Sequence, residues 1–315
     1  MAFEVLQGGL LTTVQDLGRR GYQQFGVPVA GAMDPFALQV ANILVGNSPG
    51  EAALEITLLG PTLRAVEPCT IAVAGGDLSP RLDDKEIPMW TAISVLKGGV
   101  IDFGRRKGGF RAYLAVAGGF DVPLVLGSRS TYLRGGFGGL GGRALTKGDL
   151  LRTGCSSPYS AAVVGRAFPV DRIPPYGDTP TVRVVLGPQD DYFTEAGVAN
   201  FLSGTYRVSP ASDRMGYRLQ GPEIVHRGRT EIISDGIALG AVQVPADRQP
   251  IVMMADHQTT GGYPKIATVI RADIPLLAQC MPGVSRVRFT LTTVGEAQAC
   301  YREMMATLRE GWANR

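Results

Sequence analysis

Histidine and cysteine are scarce in this 315-residue chain: only His226 and His257 occur, and Cys69, Cys155, Cys280 and Cys300 stand far apart with no CxxC pair. That scarcity argues against a zinc site and against a disulfide framework. Each thiol sits in an apolar or small-residue run, which points to packing rather than thiol chemistry. Long apolar runs are missing as well. The opening MAFEVLQGGLLTTVQDLG lacks the basic flank and unbroken apolar stretch of a secretory signal, and no later segment reaches a membrane-spanning length, so a cytoplasmic protein is expected. Charge of one sign is not in excess either, with 31 basic against 28 acidic residues and a net charge of +3. Neither a nucleic-acid nor a membrane surface is indicated, and the expected partners are small molecules or other proteins. No Walker A sequence, GxSxG elbow or HExxH is read in the chain, so no metal is expected here, and any ATP used would be bound by another chain.

What the chain does have is the balance of a folded protein with a sizeable core, 45% hydrophobic and 19% charged. Forty-two glycines and 21 prolines punctuate short β-rich runs such as ITLLG, CTIAVAGG, TAISVL, VRVVLG, EIISDG, AVQVP, PIVMMA, IATVI and VRFTLTTV. Many short strands with frequent turns predict a mainly β protein of sandwiches or barrels with few helices. One helix is predicted from Asp34 as N-cap and Pro35 at the first helical position, with Phe36, Val40, Ile43 and Leu44 on one face and Gly46 as terminator. A second is predicted at the C-terminal end, where Ala297, Tyr301, Met304, Met305, Leu308 and Trp312 recur at helical spacing as a packing stripe.

The chain also resembles itself. VANILVGN at 40–47 matches VANFLSGT at 198–205, and Gly60-Pro61 matches Gly221-Pro222, each followed at the same distance by a glycine, Gly75 or Gly236. Further on, Asp121-Val122-Pro123-Leu124 matches Asp273-Ile274-Pro275-Leu276, each preceded by a Gly-aromatic pair, Gly109-Phe110 or Gly262-Tyr263. Four anchors in one order predict two homologous β-barrels related by a pseudo-two-fold: residues 1–152, then a proline-rich linker over 153–180, then 181–315 with the terminal helix.

Polar residues concentrate in three places. Asp256-His257-Gln258-Thr259-Thr260-Gly261-Gly262-Tyr263-Pro264-Lys265 comes directly after the apolar PIVMMA, and such a cluster at a strand end can surround a small polar ligand. It also reads as a turn with locally satisfied side chains. In Ser212-Asp213-Arg214-Met215-Gly216-Tyr217-Arg218, Arg214 and Arg218 have the forked geometry to clamp a carboxylate, or Arg214 pairs with a nearby acid. Near the N-terminus, Gln15, Asp16 and Arg19 form the third cluster. Together the three are expected to line one cleft, with Asp256 as a base or holding a water and Gln258, Thr259 and Thr260 hydrogen-bonded to a planar amide or its carboxylated form. Tyr263 packs beside that group, Arg214 holds a substrate carboxylate, and Gly261, Gly262 and Lys265 complete the binding set. The run GGFGGLGG at 135–142 contains a formal GxGxxG, but the next residues, RALTKGDLL, look like turn and strand, which favours a glycine hairpin or lid over a nucleotide site.

The segments TTVQDLGRRGYQQFGVPVAGAMDPFALQVANILVGN, SDRMGYRLQGP, SDGIALGAVQVP and DHQTTGGYPKIATV together resemble the family called biotin-dependent carboxyltransferase or allophanate hydrolase subunit 2, to which KipA and the C-type subunit of 5-oxoprolinase belong. The resemblance implies cyclophilin-like β-barrels in both halves. It also implies a KipI-like partner, the B-type subunit of 5-oxoprolinase, and an A-type subunit, in a complex that uses ATP to open 5-oxo-L-proline to L-glutamate, with no cofactor bound by this chain. Two other readings stay open: half of a biotin-dependent carboxyltransferase of the urea carboxylase type, with biotin carried by a partner, or a KipA-like regulator binding a KipI-like kinase inhibitor. One departure is the turn Ala246-Asp247-Arg248-Gln249-Pro250, where Arg248 stands in a place expected to be glycine.

Overall fold

The computed structural model describes residues 3–154 and 161–310, so Cys155, Pro158 and Trp312 lie outside the described residues. The chain groups into two compact units, one from residues 3–20 and 30–174, the other from 21–29 and 175–310. The mainly β reading holds in both.

In the first unit, one sheet runs in the order Leu11–Gln15, Ala53–Thr57, Gly108–Val116, Cys69–Asp77, Ala92–Val95. The other runs Leu150–Leu151, Phe3–Gln7, Thr62–Ala65, Val100–Phe103, Pro80–Leu82, Lys85–Glu86. Alternate residues from the two sheets, including Phe3, Val14, Leu54, Leu63, Ile71, Ile101 and Leu114, fill a single core. Cys69 belongs to that core, and burial pushes its thiol pKa up to about 12, so it stays an inert thiol. Helix α1, Pro35–Leu44, lies on the opposite side of the first sheet, against Gly108–Val116 and Cys69–Asp77. It starts and stops where the caps dictate: Asp34 Oδ1 accepts from the Ala37 N–H at 3.0 Å, Pro35 needs no partner, and Gly46 turns out at φ +83°. Part of the proline-rich segment is packed rather than bare chain, since Phe168 stands edge-on to Phe36 and tilted against Trp90, both at 5.8 Å.

The second unit is a closed seven-stranded barrel, ordered Thr181–Leu186, Lys265–Val269, Ala241–Gln243, Ile251–Met253, Gly216–Gln220, Thr205–Val208, Arg286–Leu291. Closure comes from a parallel pairing of Arg286–Leu291 with Thr181–Leu186, while the other neighbours are antiparallel. Helix α2, Glu195–Ser203, carries the second Val-Ala-Asn repeat as α1 carries the first, and Gly221-Pro222 leaves a strand end much as Gly60-Pro61 comes after Ala53–Thr57. The third repeat departs in local form, because Asp273 leads directly into the short helix α3, Ile274–Ala278, whereas Asp121 lies in a loop. Helix α4, Val294–Glu310, begins with a reciprocal cap in which Thr293 and Glu296 each accept from the other's backbone N–H. Its stripe of Ala297, Tyr301, Met304, Met305 and Leu308 is turned inward as its spacing predicts.

The departure at Arg248 has a backbone cause. Its φ is +61°, in the left-handed region where glycine is at ease, and its N–H closes a turn onto the Pro245 carbonyl at 3.0 Å. The hairpin geometry is therefore kept, with the arginine accepting strain of about 1 kcal/mol that glycine avoids. Its guanidinium meets Glu223 at 2.7 Å on the surface, a contact too exposed to offset much of that strain.

Candidate active site

At the end of the strand Ile251–Met253 the chain is tied to the start of Gly216–Gln220 through backbone bonds from Met254 N–H to Met215 O, 2.9 Å, and from Asp256 N–H to Arg214 O, 2.8 Å. These bonds bring two expected site residues face to face. Arg214 Nε and Nη2 donate to the two carboxylate oxygens of Asp256 at 3.0 and 2.9 Å, and both side chains are about 6% exposed. A buried, bidentate partner fixes the guanidinium and occupies the carboxylate. The alternative left open for Arg214, pairing with a nearby acid, is the one seen here, and the two residues hold the chain end from which Gln258 to Lys265 project. Arg218 is not part of this pairing and lies on the exposed face of its strand.

His257, next to the pair, is buried and its Nδ1 meets the Gln258 carbonyl at 2.7 Å. Burial outweighs that bond and the nearby Asp256 charge, and it holds the imidazole below its ordinary pKa of 6.5. As pH falls below 6.5 the unfolded chain binds a proton that the folded chain refuses, so His257 removes stability between 6.5 and its lower folded value. Midpoints measured at about pH 7.5 and about pH 5.5 should fall further for the wild type than for His257→Gln. Equal falls in the two proteins would refute this.

Beyond His257 the polar residues gather around Gly261. The pair Thr260–Gly261 makes a two-residue ladder with Asp235–Gly236, and Ile232 N–H and Ile237 N–H extend it to the Gly262 and Thr259 carbonyls at 2.8 and 3.0 Å. Beneath this strap, Gln243 and Lys265 are cross-strand partners at a bulge of the barrel wall, and both are buried. A side chain at Gly261 would come within 2.9 Å of Gln243 Nε2 and 3.5 Å of Gln258 Nε2, so the glycine leaves room for two carboxamides to converge. Lys265 Nζ donates to Asp235 Oδ2 at 2.9 Å, and this contact lowers the Asp235 pKa from its ordinary value. Gln258, Thr260 and Tyr263 are exposed and Thr259 half-buried, which puts the hydroxyls, one carboxamide and an aromatic ring at an open rim. Such a set offers donors and acceptors to a planar amide, and a cation beside them to an anion.

A profile of the carboxyltransferase domain, subdomain A and B, matches residues 25–291. This chain belongs to that family. It is 41% identical to the C subunit of 5-oxoprolinase from Escherichia coli over 93% of the chain and 92% of that protein, and 38% identical to the C subunit of 5-oxoprolinase from Haemophilus influenzae over 92% and 91%. Among solved structures it is similar to the Kluyveromyces lactis urea amidolyase, with a TM-score of 0.92 and 32% identity over 98% of this chain, which spans 20% of that one.

The N-terminal segment that holds Gln15, Asp16 and Arg19 folds within the first unit, where the three residues make internal contacts. Asp16 accepts from the Ser128 hydroxyl at 2.7 Å, the Ser130 hydroxyl, the Gly18 N–H at 2.7 Å and the Arg129 N–H at 2.6 Å. Arg19, 1% exposed, donates to the Ser130 carbonyl and stacks 5.0 Å from the Phe137 ring centre. Gln15 donates to Thr13 Oγ1 at 3.0 Å and to the Thr131 carbonyl at 3.2 Å. These contacts fix the 128–131 segment, while Gln15 Oε1 is buried with no hydrogen-bond partner among the described residues. The glycine run beside them is a chain of turns, Gly138 packed on the Ser130 carbonyl and Arg19, and no helix comes after it. A GxSxG at Gly46-Asn47-Ser48-Pro49-Gly50 likewise comes after α1 rather than between strand and helix, so Ser48 is no nucleophile elbow.

Asp235 and Gln243 stand beside the candidate site residue Lys265, and the sequence reading did not single them out. Each had a signal: Gln243 is a lone carboxamide in the apolar run Ala241-Val242-Gln243-Val244, and Asp235 stands between Ser234 and Gly236 in the motif SDGIALGAVQVP. A second buried cluster has no counterpart in the sequence reading either. There Glu55 Oε2 accepts from Tyr113 OH at 2.6 Å and from Met33 N–H at 2.8 Å, while the Tyr113 oxygen accepts from Asp34 N–H. It anchors the start of α1. Among the described residues, no helix is long and apolar enough to cross a membrane.

Proposed function

We propose that this chain is the C-type subunit of an ATP-dependent 5-oxoprolinase, which acts in the cytoplasm with an A-type subunit and a KipI-like B-type subunit to open 5-oxo-L-proline to L-glutamate. The observation that carries the reading is coverage: two 5-oxoprolinase C subunits match over more than nine-tenths of this chain and of their own lengths. A lactam resists hydrolysis because amide resonance must be broken, whereas phosphorylation of its oxygen creates a leaving group and a more electrophilic carbon. In this chain, Gln258, Thr259 and Thr260 are assigned to hydrogen bonds with the planar lactam, Tyr263 to packing beside it, and Gly261 and Gly262 to close backbone approach. The Arg214–Asp256 pair positions these groups.

The fold shared with a urea amidolyase supports a second reading, half of a biotin-dependent carboxyltransferase whose biotin arrives on a partner. One experiment separates the two. Co-expressed with A- and B-type subunits, the complex is expected to release glutamate from 5-oxoproline only when ATP is supplied, and the purified chain alone is expected to show negligible turnover. A reconstituted complex inert towards 5-oxoproline, or full turnover by the isolated chain, would overturn the first reading. Carboxyl transfer from carboxybiotin would establish the second.

A further inference from the structure

Lys265 is a charged side chain in a place that disfavours charge. It is 5% exposed, and among the described residues its ammonium, with three donors, makes one hydrogen bond, to a single oxygen of Asp235. Asp235 is the opposite: 58% exposed and carried on the strap, where the two-residue ladder to Thr260–Gly261 contains Gly236 and Gly261 and runs on to Gly262. A buried cation normally has a buried, multiply bonded partner, as Arg214 has in Asp256. Here the partner lies at the mouth and is held by a short, glycine-rich ladder. The cross-strand neighbour Gln243 has a buried carboxamide whose Nε2 donates to the Tyr263 carbonyl at 3.4 Å, and both it and the Gln258 carboxamide lie close to Gly261.

We infer that Lys265 is the floor of a carboxylate-binding subsite, and that Asp235 fills it in the free chain as an internal stand-in that a ligand carboxylate displaces. Displacement exchanges one carboxylate for another on the same ammonium, so no buried charge is left unpaired at either end of the exchange. The released strap, whose Ile233 is 95% exposed, gains freedom to move with the ligand. The choice of 5-oxoproline as that ligand rests on the proposed function; the subsite itself does not. A lactam ring bearing a carboxylate places its amide next to the carboxamides once its carboxylate is on Lys265.

The test uses the full chain and two probes, acetate and 5-oxo-L-proline. Asp235→Ala should lower the thermal midpoint by stranding the ammonium, and sodium acetate should restore it at a concentration where sodium chloride does not. Wild type should show no such anion preference, and the double variant Asp235→Ala/Lys265→Met should show no response. Calorimetric titration should give Asp235→Ala about tenfold tighter 5-oxoproline binding than wild type, because the internal competitor is gone. Equal effects of acetate and chloride, or an unchanged response after Lys265→Met is added, would overturn the subsite. Acetate rescue with no preference for 5-oxoproline over acetate would leave the subsite standing and remove 5-oxoproline as its ligand.

Discussion

Replacing Arg214 by methionine is expected to lower the stability of the chain by about 3–5 kcal/mol, a fall in the thermal midpoint on the order of 10 °C. The cause is the Asp256 carboxylate, about 6% exposed, which would lose both side-chain bonds that Arg214 gives it. Asp256→Asn takes the charged acceptor away from the guanidinium instead and should cost a similar amount. The double variant Arg214→Met/Asp256→Leu removes both charges and replaces them with apolar groups, so it should be more stable than either single variant. Denaturant unfolding of the four proteins gives the coupling directly. Turnover of the reconstituted complex gives the second readout: if the pair positions Gln258 to Thr260 without reacting, the double variant keeps more activity than either single one. Single variants within about 1 kcal/mol of wild type would show that the pair is not the clamp its geometry describes.

Local signals in the sequence were sufficient wherever one element decides its own form. Asp34, Pro35 and Gly46 define α1 to the residue because capping is satisfied within a few positions of the chain. The run EIISDG shows the limit of such signals. Its composition predicts a strand, yet the ladder covers Asp235–Gly236 against the equally short Thr260–Gly261, with one further bond from Ile232 N–H, and Ile233 is left to solvent. The stretch 256–265 was legible as a crowding of polar groups, but the partners of those groups were not. Arg214 and Asp256 are 42 residues apart, and several acids were available to Arg214; only the barrel register that sets Gly216 opposite Met253 selects one of them. The same closed barrel sets Gln243 beside Lys265. Pairing across strands is a property of that barrel, which no single segment carries.

Asp16→Ala is expected to destabilise the chain by about 3 kcal/mol or more, although Asp16 lies in a motif that reads as substrate-binding from sequence. Its carboxylate is the common acceptor for two hydroxyls and two backbone N–H groups, and its own N–H donates to the Ser130 hydroxyl at 2.9 Å. Removing it leaves the Ser128 and Ser130 hydroxyls without their acceptor in a buried place and the Gly18 and Arg129 N–H groups in a half-buried one, where each buried unmet donor costs about 1–3 kcal/mol before relaxation or water entry. Asp16→Asn separates charge from shape. Its oxygen can still receive one side of the network, but its amide turns donors towards donors, so it should fall between alanine and wild type. Ser128→Ala removes a donor rather than the acceptor and should cost about 1 kcal/mol. Urea unfolding of the three variants checks the order. If Asp16→Ala unfolds with wild type while turnover of the reconstituted complex is lost, Asp16 is a reacting group after all; if stability and turnover fall together and Asp16→Asn restores both in part, it is the fastening of the 128–131 segment that its four contacts describe.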